Sequence, residues 1–155
     1  MELNGVPLHP LVVHAVVVLG PLAALTGVAY AAVPRWRWLL RWPLVALAAV
    51  VAVVAWVAVA AGEDLLAARP ELGPIVAEHQ DYGETLRLWA VGFLAASALA
   101  AWSMGGPSAL ASGRGASESV ATLGIAAGVV LVVASVGLVV YVYLAGDSGA
   151  TAVWG

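Results

Sequence analysis

Residues 11–33 of the chain read LVVHAVVVLGPLAALTGVAYAAV, an apolar run that is bounded by proline at both ends and carries no formal charge. Its first turn contains a histidine, His14. An α-helix rises about 1.5 Å per residue and the hydrocarbon core of a bilayer is about 30 Å thick, so a run of this length can cross it. The stretch therefore predicts a membrane-spanning helix over residues 10–33, and Pro21 is expected to kink that helix near its middle.

Three further apolar runs follow the first, at residues 43–62, 84–104 and 119–146. The third span is short unless the amphipathic stretch from Pro74 extends the same helix out of the membrane, and we expect that extension. The fourth is long enough to tilt or to protrude. Together the spans predict an all-α integral membrane four-helix bundle, a single domain over residues 1–155 with an outer connection at 63–83.

The composition excludes several classes of protein. Hydrophobic residues make up 63% of the 155 residues and charged residues 10%, whereas soluble domains have roughly 45 to 50% and about 25%. All six basic residues are arginines and the formal net charge is -3, so the chain lacks a basic surface for nucleic acid. The absence of cysteine excludes disulfides, thiolate metal sites, iron–sulfur clusters and c-type haem attachment.

The three connections between the spans differ in charge. The first carries Arg35, Arg37 and Arg41 and the third carries Arg114, whereas the middle one carries a single arginine among six carboxylates. By the positive-inside rule the first and third connections are cytoplasmic, which predicts an N-out, C-out orientation in the plasma membrane of a bacterium. Tryptophans interleaved with the first three arginines are typical of an interfacial aromatic belt.

All histidines of the chain are expected at the outer membrane face. Counting about 20 residues back from the cytoplasmic end of the first span puts the outer boundary near His14. His9 precedes this boundary, and His79 precedes the third span on the same side. The centre of the bilayer carries no formally charged residue, which argues against a transporter or a proton channel.

Histidines gathered at one end of a bundle favour two kinds of cofactor. Two neutral imidazoles from different helices can be the axial ligands of a b-type haem, and His14 with His79 is the expected pair. His9 lies about 140° from His14 around an ideal helix, so it is expected to hold a haem propionate or to support a ligand. Alternatively, His9, His14, His79 and Asp147 bind Zn or Cu directly.

A purely structural interpretation stands beside these two. His9 then caps the first helix, and His79 is an exposed residue in the polar stretch EHQDYGETLR. His14 is harder to explain in this way, because an imidazole inside an apolar run costs free energy unless it is paired or coordinated. Small residues in the helices, including the GxxxG of Gly124 and Gly128, indicate close helix packing.

Four segments of the chain resemble one bacterial family of four-helix membrane proteins, the domain of unknown function 2231: NGVPLHPLVVHAVVVLGPLAAL at 4–25, GEDL at 62–65, EHQDYGE at 78–84 and GDSGATAVWG at 146–155. The most distinctive part is LHPxxVH, with His9, Pro10 and His14, supported by His79. Chains of this kind occur beside Rieske-type or cytochrome-like modules, so the resemblance implies an electron-transfer or haem-associated role that touches only the three histidines. Asp147 stands where another histidine would have indicated a second haem.

The sequence as a whole favours an electron-transfer protein with a haem b at its outer face over a stand-alone enzyme. A non-redox structural or accessory subunit and a Zn- or Cu-binding membrane protein are the alternatives. The expected partners are the lipid bilayer and redox or respiratory membrane proteins, together with further copies of the chain in a homo-oligomer.

Overall fold

The computed structural model describes residues 2–3, 6–104 and 121–155. Two short strands, β1 (Glu2–Leu3) and β2 (Val6–Pro7), pair antiparallel at the N-terminus. Four long helices follow: α1 (Leu8–Ala32), α2 (Arg37–Ala68), α3 (Gly73–Ser103) and α4 (Ala121–Trp154). Each of the four is long and apolar enough to cross a membrane. The predicted all-α, multi-pass membrane fold is therefore confirmed.

The helices are longer than the spans predicted from hydropathy. The segment 63–83, expected as a connection, is α-helical except at Arg69 and in a short 3-10 helix at Pro70–Leu72, because α2 continues to Ala68 and α3 begins at Gly73. Proline lies in the first turn of both the short 3-10 helix at Pro70 and α3, where its missing N–H costs nothing. The polar stretch before the third span is thus part of α3, as expected.

Proline does not divide the first span. Pro21 lies inside α1, which continues as one helix from Leu8 to Ala32. Its neighbour Gly20 lies against α4, since a methyl group added at Gly20 would be 2.9 Å from a side-chain carbon of Val142. This close approach is of the kind that small residues permit between helices in membranes.

The helices form a ring of four in chain order. α1 packs on α2 and α4, and α3 packs on the same two helices, so that α1 lies diagonally opposite α3. The start of α1 meets the end of α2, and the end of α4 meets the start of α3. Both termini and the α2–α3 connection therefore share one end, which we call the histidine end. The arginine distribution predicts that this end faces outward, and that orientation stays a prediction. Arg114 and the predicted start of the fourth span at 119 lie outside the described residues.

Alanine is the commonest residue of the bundle interior, which also contains a few large side chains such as Tyr30 and Phe93, while many other large apolar side chains face outward. One alanine row runs along α2, and the buried members of that row are Ala48, Ala52, Ala55, Ala58 and Ala61. Many valines, leucines and tryptophans are exposed, including Trp102 and Val53. Small residues inside and large apolar residues outside are typical of a helix bundle in a lipid bilayer. Lipid chains solvate the large apolar side chains, and small residues let the helix backbones approach each other.

The GxxxG sequence of α4 packs inside the bundle. Gly124 and Gly128 are both buried, and the terminal methyl of Met104 at the end of α3 lies against Gly128. On the same helix, the Ser135 hydroxyl donates to the Leu131 carbonyl and faces Gly27 of α1. The small residues of α4 thus serve contacts with α1 and α3, as the sequence indicated.

An aromatic cluster joins α3 and α4 near the histidine end. The Trp89 indole stacks on the Tyr141 ring with centroids 6.0 Å apart, and Tyr82 contacts the same ring at 6.4 Å. The indole lies directly over the backbone of Gly137, where an added methyl would be 2.3 Å from ring carbons. Glycine at this position is therefore required by the packing of Trp89.

Replacing Gly137 with alanine should lower the stability of the bundle, because either Trp89 or the α4 backbone must move. Overpacking of this kind costs about 1 to 3 kcal/mol. Gly92→Ala is the matched control, since Gly92 is an exposed glycine of α3 with open space around it. Thermal unfolding in mild detergent measures both variants, and equal stability of the two would contradict the described packing.

Candidate functional site

His79 of α3 reaches across to α4. Its Nδ1 lies 2.9 Å from the carbonyl oxygen of Ala145 and must be the donor, since a carbonyl can only accept. The imidazole lies over Gly149, one turn further along, where an added methyl would approach the ring to 3.0 Å. The ring therefore occupies the space that a side chain at position 149 would fill.

His9 of α1 makes the equivalent contact with α2. Its Nδ1 donates to the carbonyl oxygen of Ala58 at 2.8 Å, and the ring lies over Gly62 at 3.3 Å from where a methyl would be. In both cases an alanine carbonyl and a glycine four residues later form a notch on the neighbouring helix. Each notch holds one imidazole with Nδ1 toward the backbone.

The two rings meet on the diagonal of the bundle, and we call His9 and His79 the histidine pair. Their centroids are 5.8 Å apart with an angle of 83° between the ring planes. Through this edge contact α1 meets α3, while the two hydrogen bonds join α1 to α2 and α3 to α4. The histidine pair thus connects all four helices at one end.

The hydrogen bonds determine which ring nitrogen is available. A neutral imidazole that carries its proton on Nδ1 has an unprotonated Nε2, which can accept a hydrogen bond or bind a metal. Histidine ligands in metalloproteins commonly donate their other N–H to a backbone carbonyl in this way, which fixes tautomer and ring orientation. Both members of the histidine pair therefore have the support that a ligand requires.

His14 lies apart from the histidine pair. Its side chain is exposed on α1, and its Nδ1 hydrogen-bonds the carbonyl of Pro10 in its own helix. The angular argument from the sequence holds, because His9 and His14 face different directions. The expected pair was His14 with His79, and the structure instead brings His9 to His79, since the inward-facing position of the first turns of α1 belongs to His9.

A groove beside His79 contains Asp147. It lies between the start of α3 and the end of α4, has a volume of about 360 Å³ and is lined by side chains that include Glu78, Tyr82 and Ser148. Asp147 is exposed there. Within the described residues no three or more His, Asp or Glu side chains gather as metal ligands, so the four-residue metal site His9, His14, His79 and Asp147 is not assembled.

Sequence reasoning missed Gly62 and Gly149, which shape the site. Both follow an alanine at a spacing of four, in AVAAG at 58–62 and AGDSG at 145–149. That repeated spacing at the ends of two apolar helices was the available signal. It becomes meaningful only when the histidines are known to lie against it.

Replacing either member of the histidine pair with alanine should destabilise the bundle. Each loses a hydrogen bond and the ring contact, a cost of about 1 to 2 kcal/mol. In the double variant the two effects should not add, because they share the ring contact, with a coupling of about 0.5 to 1.5 kcal/mol. His14→Ala is the control and should stay within about 0.5 kcal/mol of wild type. Unfolding in detergent measures all four, and additive losses would contradict the pairing.

Of three comparisons with known proteins, one gives a match. Neither a curated protein sequence nor a solved structure matches the chain. Residues 5–155 match the family described as predicted membrane protein, DUF2231. Because this match covers almost the whole chain, from β2 to the end of α4, the protein belongs to the DUF2231 family of predicted membrane proteins.

Proposed function

We propose that this membrane protein binds a b-type haem through the histidine pair and transfers electrons at the histidine end. The observation that supports the proposal is that His9 and His79, from diagonally opposite helices, each donate Nδ1–H to a backbone carbonyl and leave Nε2 free. Two such imidazoles are the axial ligand set of a low-spin electron-transfer haem. When bound, the haem supplies a one-electron redox couple whose potential depends on burial and on hydrogen bonds to its ligands.

The number of ligands favours haem over a directly bound metal. Zinc sites take three or four protein ligands, whereas a haem iron needs only two from the protein. The histidine pair supplies two, and no third candidate ligand joins it within the described part of the chain. Zn or Cu at this position is therefore the less supported alternative.

The dimensions of the pair are also compatible with a shared metal. Two imidazoles that bind one ion through Nε2, with bonds of about 2 Å, have ring centres roughly 5 to 6 Å apart. The observed separation is 5.8 Å. The glycines at 62 and 149 keep side chains away from the same level on α2 and α4. A haem held by His9 and His79 would take the place of the direct edge contact between the two rings.

The charges around the pair indicate the kind of partner. Apart from Glu2, seven carboxylates of the described chain lie at the histidine end, against two arginines there, Arg69 and Arg87; the carboxylates are Glu63, Asp64, Glu71, Glu78, Asp81, Glu84 and Asp147. An acidic surface attracts a partner with a basic surface and raises the rate of their encounter. The proposed partner is a redox or respiratory membrane protein that presents basic residues to this end.

Absorption spectra test the proposal directly. Protein purified in mild detergent from haem-replete cells should show a Soret band and a b-type difference spectrum between the dithionite-reduced and oxidised forms, with one iron per haem site. His9→Ala and His79→Ala should each abolish or strongly shift this spectrum. His14→Ala, which removes a histidine that lies apart from the pair, should leave it unchanged.

Three results would contradict the proposal. A colourless protein that contains Zn or Cu would indicate the direct metal site, and a colourless protein without metal would indicate a structural or accessory subunit in which the pair only holds helices together. A haem spectrum that is unchanged in His9→Ala and lost in His14→Ala would show that His14, and not His9, is the haem ligand.

A further inference from the structure

A long groove lies at the opposite end of the bundle, where α1 ends and α2 begins, which we call the arginine end. It has a volume of about 630 Å³ and runs between the end of α1 and the first half of α4. The α4 wall extends from Gly124 to Val133, which at about 1.5 Å per residue is about 14 Å. Apolar side chains form nearly all of its surface, among them Ala32, Ile125 and Val129.

One cation, Arg37, lies in the wall of this groove. Its Nε donates to the carbonyl of Tyr30 and its Nη2 to the carbonyl of Ala31, both at 3.1 Å. These carbonyls belong to the last turn of α1, where they lack partners within the helix. A guanidinium has five N–H donors, and two of those of Arg37 make these bonds to the described residues.

A second cation, Arg41, lies one turn further along the same face of α2. Its guanidinium lies 5.3 Å from the centroid of the Trp42 ring, and its Nε is buried without a hydrogen-bond partner. The carboxylates of the described chain lie on the histidine side of the spans, and Glu118 of the third connection lies outside the described residues. Within the described part of the chain, the two guanidinium groups therefore have no carboxylate partner, and Arg37 lines the apolar groove.

We propose that this groove is a binding site for an anionic phospholipid, with one acyl chain along α4 and the phosphate on Arg37 and Arg41. The site matches such a lipid in its polarity, since it is apolar along its length and cationic at the membrane interface. Arginine binds phosphate oxygens by charge-assisted hydrogen bonds, and arginine clusters beside spanning helices attract anionic lipids. The lipid phosphate would pair with the guanidinium groups, and its acyl chain would cover exposed apolar side chains of α4 such as Ile125, Val129 and Val133.

Lipid binding to the delipidated full chain tests this site, and native mass spectrometry counts the bound lipids. Wild type should bind phosphatidylglycerol about tenfold more tightly than phosphatidylcholine with the same chains, because only the former leaves the guanidinium charges balanced. Arg41→Gln and Arg37→Gln should each lower the affinity for phosphatidylglycerol about tenfold, the loss expected for one hydrogen bond between charged groups. Ala32→Phe should reduce the binding of both lipids, because the added ring fills the groove.

Arg35→Gln is the matched control. Arg35 is an exposed arginine of the same end that lies over Trp36, whereas Arg41 is half-buried with a buried Nε, so the loss of Arg35 should leave lipid affinity unchanged. Arg37 also caps the end of α1, so Arg37→Gln can prevent folding. In that case Arg41→Gln and Ala32→Phe still test the proposal. Equal binding of the two lipids, an equal loss in Arg35→Gln, displacement of the lipid by inorganic phosphate, or a lipid-free dimer of the chain would each overturn the proposal.

Discussion

Two hydrogen bonds from imidazole to a helix carbonyl, His9 to Ala58 and His79 to Ala145, hold the histidine end of the bundle together. The acceptor carbonyls already serve the α-helical hydrogen bonds of α2 and α4, so each imidazole adds a second donor to a carbonyl that is in place. The donors sit on diagonally opposite helices, and their rings touch between the other two. The glycines at 62 and 149 leave room for the two rings, and the hydrogen bonds determine the direction of each ring. With Nδ1 bound to backbone, the Nε2 atom of each neutral ring can accept a hydrogen bond or bind a metal.

Hydropathy and helix geometry were sufficient to predict most of the fold. The four spanning helices, the extension of α3 into the polar stretch before its apolar run and the packing role of the α4 glycines follow from local sequence. The continuation of α2 to Ala68 did not, because Glu63 and Asp64 end the apolar run without ending the helix. Hydropathy reports where lipid ends, and in this chain the helices continue past that point.

The candidate site was only partly predictable, because its contacts join residues distant in the chain. That the three histidines lie toward one end could be derived from depth, and that His9 and His14 face apart from helical spacing. His9 faces inward because its ring packs against Gly62 of α2. The sequence around His9 does not indicate this contact, since Gly62 lies on another helix. His79 occurs in a polar stretch that is typical of a solvated helix. Its side chain is half-buried because it packs over Gly149, which lies 70 residues later in the chain. At the arginine end the charged residues could be predicted from the sequence. The groove beside them could not, because it forms between α1 and α4, which are distant in the chain.

Nitrogen NMR of the histidine rings tests the central claim, that His9 and His79 form one pair with Nδ1 bound to backbone. The His14→Ala variant, labelled with ¹⁵N at histidine, contains only the two rings of interest, and cofactor-free protein in lipid bilayers gives the state described by the structure. The account predicts that both rings in their neutral form carry the proton on Nδ1, and that protons of one ring correlate through space with those of the other. A neutral ring with its proton on Nε2, or no correlation between the two rings, would contradict it.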